Sequence, residues 1–354
     1  MRTALVRLNS VRLLLLGGVT GFSQSTSKMT ALSSSTPGPL EVADNSAPCS
    51  GTSDALFAVI ERMQLKLRPP GMAAPGALSA DPSAEAPPAE TCDPKTASWG
   101  RFLDAGTGAH SLSWVQQLPL ASWAAVTADK QMKRTVENEA ARDTTGKRPE
   151  NSKGNIVLGN WDDEKLLAGE QYEVVLADYL IGAMDGFSPF KQDLIFDRLR
   201  RHVAPNSGIL YIIGLQPIPY SASYPEDIIV DVTRARDACI LLAGHRCYRE
   251  YPLTWVQRQL TAHGYRVLDT ETLPILYSEQ SIRRQINVAK SKLPHFKDRT
   301  LAQAMEKSLA ELDRRMVNVV AAQKPTSRIR HGFDYIIAAE LDPDWTPPAD
   351  GGRS

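Results

Sequence analysis

The sequence predicts an α/β fold built on a doubly wound, mostly parallel sheet with helical insertions. Three observations predict it. Short runs rich in Val, Ile, Leu and Tyr alternate along the chain with segments of helical period. Strands of that composition, separated by helices, belong to parallel sheets covered on both faces. Glycines and acids fall just after several of these runs, where such sheets bind ligands.

Taken in order, residues 101–104 form a short strand opening into Gly106-Thr107-Gly108, and 112–118 form a helix. Residues 123–128 make a second strand ending at Asp129, followed by a helix over 130–142. The third strand covers 155–158 and the fourth 172–177, ending at Asp178. A helix over 193–202 leads to the fifth strand, 208–214. A helix over 253–263, stopped by Gly264, leads to the sixth, 265–268, and residues 333–340 are the last.

Composition sets outer bounds. The 354 residues carry 40 Lys+Arg against 40 Asp+Glu, and 42% of them are hydrophobic. That charge balance removes the sequence-independent attraction to phosphate, so no nucleic-acid partner is expected. No apolar run reaches the ~18 residues that span a bilayer, so no membrane partner is expected either. The 4 cysteines are too sparse for a disulfide scaffold and no pair has zinc-ligand spacing. No metal site is expected, and Cys239 and Cys247, the nearest pair, read as free thiols.

Residues 1–40 hold no acidic residue and intersperse Arg2, Arg7, Arg12 and Lys28 with serines, the composition of an organelle transit peptide. The apolar run from Leu13 to Phe22 could also serve a signal peptide. The two combine in the bipartite plastid leaders of algae with complex plastids, where an aromatic like Phe22 follows the cleavage point. Plastid or mitochondrion is the expected compartment, and the cytoplasm if translation starts at Met29. Residues 41–98 read as a linker with one helix, 54–67, which Ser53 can cap and whose apolar face is Leu56, Val59, Ile60, Met63 and Leu67. Seven prolines lie between 68 and 98. The organised domain spans 99–341, and 342–354 is a loose tail.

The first loop narrows the ligand. A glycine pair after a strand lets the backbone approach a ligand closely and turns the chain into a helix. A dinucleotide needs a third glycine where Ser111 stands, and Asp104 would repel its pyrophosphate. S-adenosylmethionine reverses that sign, because its amino group and sulfonium are cationic. On these residues the chain resembles the class I S-adenosylmethionine-dependent methyltransferases, whose fold is Rossmann-like and whose first motif runs acid-x-Gly-x-Gly-x-Gly. Here it reads Asp104-Ala105-Gly106-Thr107-Gly108-Ala109-His110, with His110 in place of the third glycine. The resemblance implies that Asp104, Gly106 and Gly108 hold the cofactor and that Asp129 takes its ribose hydroxyls. It also implies adenine contacts from Asn160 or Asp162, with Trp161 packed on the ring. Asp178 and Tyr179, after the fourth strand, would face methyl donor and acceptor.

The acceptor side lies in a long insertion, 216–252. It carries Tyr220, Tyr224, Arg246, Tyr248 and Arg249 around an amphipathic helix over 226–242. Arginine suits carboxylates and tyrosine suits cations, so these residues read as substrate-binding. The resulting expectation is an enzyme that methylates a small molecule by in-line displacement. One specific form is S-methylation of a carboxylate-bearing thioether, as in algal sulfonium osmolyte synthesis. Alternatives are N- or O-methylation of a small metabolite, with His245, Tyr179 or Asp178 as base, and a non-catalytic S-adenosylmethionine-binding regulator. An aminopropyltransferase would want paired acids after Asp178, where Tyr179 and Leu180 stand. A second insertion, 278–323, reads as two helices, 279–292 and 298–322, suited to a lid or to contact with a second copy of the chain.

Overall fold

The structure is a computed structural model and describes residues 50, 52–69, 98–141 and 153–347. Residues 1–40, most of the linker and the end of the tail lie outside them. Helix α1 (Ala55–Leu67) comes first. Then follow β1 (Arg101–Asp104), α2 (Ala109–Val115), β2 (Ser122–Thr127), α3 (Lys130–Ala141), β3 (Lys153–Leu158), β4 (Val174–Asp178) and α4 (Leu180–Ala183). Next come α5 (Leu194–Arg200), β5 (Ile209–Leu215), α6 (Asp227–Leu242), α7 (Leu253–Ala262) and β6 (Tyr265–Ser278). The last elements are α8 (Glu279–Lys290), α9 (Arg299–Ala322) and β7 (Arg328–Leu341). Among these helices none is long and apolar enough to cross a membrane.

The seven strands form one sheet in the order β3-β2-β1-β4-β5-β7-β6. The first five run parallel, and β7 is antiparallel to both β5 and β6. The chain leaves β1 toward one edge and returns at β4 to build the other. The crevice between the carboxyl ends of β1 and β4 is therefore the topological switch point, the usual ligand position in such sheets. Alternation along each strand feeds two cores. Phe102, Leu176 and Tyr211 face one layer, while Leu103, Val175 and Leu210 face the other.

Helix α1 is part of the first layer. Asp54, and not Ser53, caps it, accepting the N–H groups of Leu56 at 2.9 Å and Phe57 at 3.3 Å. Its Phe57 stacks on Trp114 with ring centroids 4.3 Å apart. Two polar side chains on its buried face find partners there. Glu61, wholly buried, accepts the Trp114 indole N–H at 2.8 Å, and Gln64 accepts the Tyr211 hydroxyl at 2.8 Å. The helix lies where the sequence puts it, but as a core element and not as a piece of linker. The start of the tail is docked too. Asp342 donates its N–H to Gly264 O at 3.0 Å, and Gly264, at φ +77°, leaves room for the Trp345 ring.

The strand β6 extends well past the expected 265–268. Its outer half, with Asp269, Glu271 and Pro274, looks like loop in isolation but pairs with β7 in antiparallel register. Pro274 is tolerated because β6 is an edge strand and a register shift falls between Pro274 and Leu276. The two long strands carry the second insertion, whose helices α8 and α9 pack on α6 of the first. Ile228, Ile229, Val232, Ile282, Ile286, Leu309 and Met316 join there as a continuation of the main core. Arg315 on α9 ties the two insertions further, pairing with Asp227 and with Asp231 of α6.

One glycine sets the packing of the sheet beside the switch point. A Cβ on Gly214 of β5 would lie 2.3 Å from the Tyr335 ring. That ring is buried, and its hydroxyl donates to Tyr251 O at 2.8 Å. Gly214→Ala is expected to displace the ring and lower stability by about 1–3 kcal/mol. Calorimetric melting would register this, and an unchanged transition would contradict it.

Candidate functional site

The crevice is built around the loop after β1. Ala105 N–H bonds to Leu176 O and Thr107 N–H to Val126 O, each at 2.8 Å, so the loop is pinned to β4 on one side and β2 on the other. Gly106 permits this path, since a Cβ there would press on Leu180 at 3.1 Å. Gly108 precedes α2, its N–H donating to Ser111 Oγ at 3.1 Å.

Asp104 ends β1 with no exposed surface. Its Oδ1 accepts the Gly106 N–H at 3.4 Å, and its Oδ2 has no hydrogen-bond partner among the described residues. Burial pushes the carboxyl up to about 6, against the opposing pull of the Ser111 and Thr107 hydroxyls and the Gly106 N–H. An orphaned carboxylate oxygen in this position is short of one positive or hydrogen-donating group. His110, which stands where the methyltransferase motif has its third glycine, turns instead to α1. Its Nε2 lies 2.7 Å from Asp54 Oδ2, and its ring is 5.2 Å from that of Phe57.

The other strand ends divide into those that fit the expected roles and those that do not. Asp129 lies at the end of β2, buried, and its Oδ1 caps α3 by accepting the N–H groups of Gln131 at 2.5 Å and Met132 at 2.8 Å. Trp161 does not present a face for an adenine. It is buried beneath the loop and donates its indole N–H to Ala105 O at 2.6 Å, which makes it a brace for the first loop. Asp162 is exposed and paired with Lys191 at 2.5 Å. Asn160 Oδ1 accepts from Ser188 Oγ at 2.9 Å and from the Asp162 N–H at 3.1 Å, while its amide donates to Phe187 O at 3.4 Å. It thus shapes the loop after β3 and has little capacity left for a ligand.

Asp178 is half-buried at the end of β4. Tyr179 follows at φ +48°, in the left-handed region. Its side chain is buried and its hydroxyl donates to Asp334 Oδ1 at 2.7 Å, so Tyr179 positions Asp334 and is not itself a base. His245, whose ring lies 5.5 Å from that of His295, belongs to the packed insertions. Tyr220 and Tyr224 are 94% and 63% exposed and enclose nothing. Arg246 pairs with Asp185 at 3.2 Å and lies over Phe190, and Arg249 is exposed. Of the five expected substrate contacts, Arg246 and Tyr248 reach the segment after β4, the Tyr248 ring lying within 2.8 Å of where a Cβ on Gly186 would be.

Sequence reasoning missed Glu250. Its carboxylate is lodged against Gly182 of α4, whose absent Cβ leaves the room: that atom would stand 2.7 Å from Oε2. Part of the Glu250 surface stays accessible although the residue is deeply set, as for a side chain lining an internal recess. Burial first, and the charge of Asp334 second, push its carboxyl up to about 8, with Arg236 opposing. Tyr335, raised by burial and by the charge of Glu250, lies near it. No local motif announces Glu250. The signal was Gly182 and Gly186, two glycines after β4 that admit side chains from the first insertion. Among the described residues no group of three or more His, Cys, Asp or Glu side chains is placed to hold a metal ion.

No family model and no curated protein sequence matches the chain. Solved structures do. A Bacillus halodurans C-125 protein described as a candidate methyltransferase is 13% identical at TM-score 0.43, covering 68% of this chain and 92% of its own. A mycolic acid cyclopropane synthase solved with SAH is 15% identical at TM-score 0.40, covering 68% and 77%. An S-adenosylmethionine-dependent methyltransferase from Thiobacillus denitrificans, solved with S-adenosylhomocysteine, is 14% identical at TM-score 0.36, covering 68% and 84%. The chain's own strand order, its antiparallel β7 and its two helical layers define a doubly wound, Rossmann-like α/β fold.

Proposed function

We propose that this chain is an S-adenosylmethionine-dependent methyltransferase acting on a small molecule with a nitrogen or oxygen nucleophile. The observation that carries the reading is Asp104, a buried carboxylate with one orphaned oxygen beside the glycine loop at the switch point. Asp104 fits the cationic amino group of that cofactor, and Asp129, half used as a helix cap, fits its ribose hydroxyls. Bound there, S-adenosylmethionine supplies an electrophilic methyl group on a sulfonium. Gly106 and Gly108 let the backbone come close, and Trp161 holds the loop by its bond to Ala105 O.

The acceptor side is acidic. Asp178, Asp334 and Glu250 come from β4, β7 and the first insertion, whereas Arg246 is already paired. Asp178 and Asp334 disfavour a carboxylate-bearing thioether, while an amine or hydroxyl acceptor meets hydrogen-bond acceptors there. Glu250 can take the proton that the N–H or O–H gives up as its lone pair bonds to the methyl carbon and the carbon–sulfur bond breaks, with S-adenosylhomocysteine as the leaving group. Orientation of donor and acceptor contributes the rest, about 7–11 kcal/mol at best.

Titration calorimetry of the full chain with S-adenosylmethionine, S-adenosylhomocysteine and NAD tests the reading. Micromolar binding of the first two and none of NAD is expected. Binding of NAD alone, or of none of the three, would overturn it.

A further inference from the structure

At the opposite end of the sheet from the crevice lies a recess of about 810 Å³. It is walled by segments that precede β4 and β5, by the start of β6 and the end of β7, and by Trp345. Its size falls within the usual range of small-molecule sites, roughly 300–1,000 Å³. In a chain of zero net charge, four arginines converge here: Arg68, Arg200, Arg201 and Arg266. The lining holds only two carboxylates, Glu340 and Asp342, in return.

The pairing inside the recess leaves guanidinium capacity over. Glu340 is shared, bonding Arg68 at 3.2 Å and Arg266 Nε at 3.1 Å, so one carboxylate answers two cations. Arg68 also donates to Leu67 O and Ser207 O, which leaves the spare capacity with Arg200 and Arg266. Arg201 pairs with Asp197 at 2.8 Å on its own helix. The Arg200 guanidinium carbon lies over the Trp345 ring, 4.5 Å from its centroid, and its buried Nε has no hydrogen-bond partner among the described residues. Contact with an indole face restrains the guanidinium and so the direction of its donors. A buried donor without a partner in an arginine-lined recess is the arrangement that a bound anion completes.

We infer that this recess is a second ligand site, remote from the methyl-transfer crevice, for a small oligoanion with two adjacent phosphoryl groups. One phosphoryl group would bond Arg200 and Arg201, and a second would reach Arg266 beside Glu340. The site is independent of the reaction proposed above, since it shares no residue with the crevice.

Inorganic pyrophosphate is the probe. Calorimetry on the full chain, at matched ionic strength, is expected to show saturable binding that weakens as sodium chloride is raised. Arg200→Gln, which breaks no described hydrogen bond, should weaken it about tenfold or more. Arg201→Gln, on the protein surface, should weaken it less. Both variants should bind S-adenosylhomocysteine as the parent does, which reports that they are folded. Absence of pyrophosphate binding, or equal binding by the parent and both variants, would overturn the assignment.

Discussion

Asp104→Asn is expected to move stability and ligand affinity in opposite directions. The Asp104 carboxyl titrates at about 6 in the fold against 3.8 in an ordinary carboxyl. Below 3.8 it is protonated in both folded and unfolded chains and costs nothing. As pH rises from there the unfolded chain gives up its proton first, so the folded state loses stability until the folded group ionises at about 6. Above that the penalty is about 3 kcal/mol at 1.36 kcal/mol per unit. An amide has no charge to bury and escapes most of it, less whatever its N–H groups fail to bond. The ligand-free variant should therefore melt higher than the parent at pH 8 and equally at pH 4. Its affinity for S-adenosylmethionine should fall, by about 10- to 100-fold for a lost charge-assisted hydrogen bond. Melting curves at the two pH values, beside calorimetry, check both halves. Unchanged affinity would remove Asp104 from the cofactor site.

Glu250→Gln is expected to have the largest effect on turnover. A base that titrates at about 8 is mostly protonated at neutral pH, so the rate of the parent enzyme should climb as pH rises through that value. The glutamine has the same shape and no proton to accept. It should lower kcat by about 10²–10⁴-fold and abolish the limb near 8. Binding of S-adenosylhomocysteine should be unaffected, because among the described residues Glu250 shares no contact with the first loop at Asp104. A pH–rate profile that keeps its limb in the variant would exclude Glu250 as the base. The test is sharper than loss of activity alone, since a packing defect lowers rates without removing one ionisation.

The legible parts of this chain were those whose signal is local. The strand, glycine pair and acid from Arg101 to Gly108 form one continuous run, and the acids after β2 and β4 follow directly from apolar strands. Helix periods survived into α1, α6, α8 and α9 nearly residue for residue. What escaped was partnership. The apolar stripe of α1 announces burial but not its mate, and only the structure shows Phe57 on Trp114 and Glu61 answering its indole N–H. Trp161, an aromatic beside acids, reads as a ring-stacker until a backbone carbonyl from the first loop claims its donor. The outer half of β6 lacks strand character on its own and is strand only because β7 lies alongside. Glu250 is the extreme case. Its environment is assembled from Gly182 and Asp334, on different elements far apart in the chain, so no window of sequence could display it.

The union of the two insertions has a hereditary consequence. The apolar face of α6 is covered by α8 and α9, and theirs by α6, with Arg315 spanning the joint. Deleting either segment alone would leave the survivor with a bare hydrophobic surface and two stranded aspartates or a stranded arginine. Descendants of this chain should therefore keep both segments or shed both, although a helix and a long strand separate them in sequence. A relative retaining one would need a substitute surface, and the natural place to look for it is a partner protein.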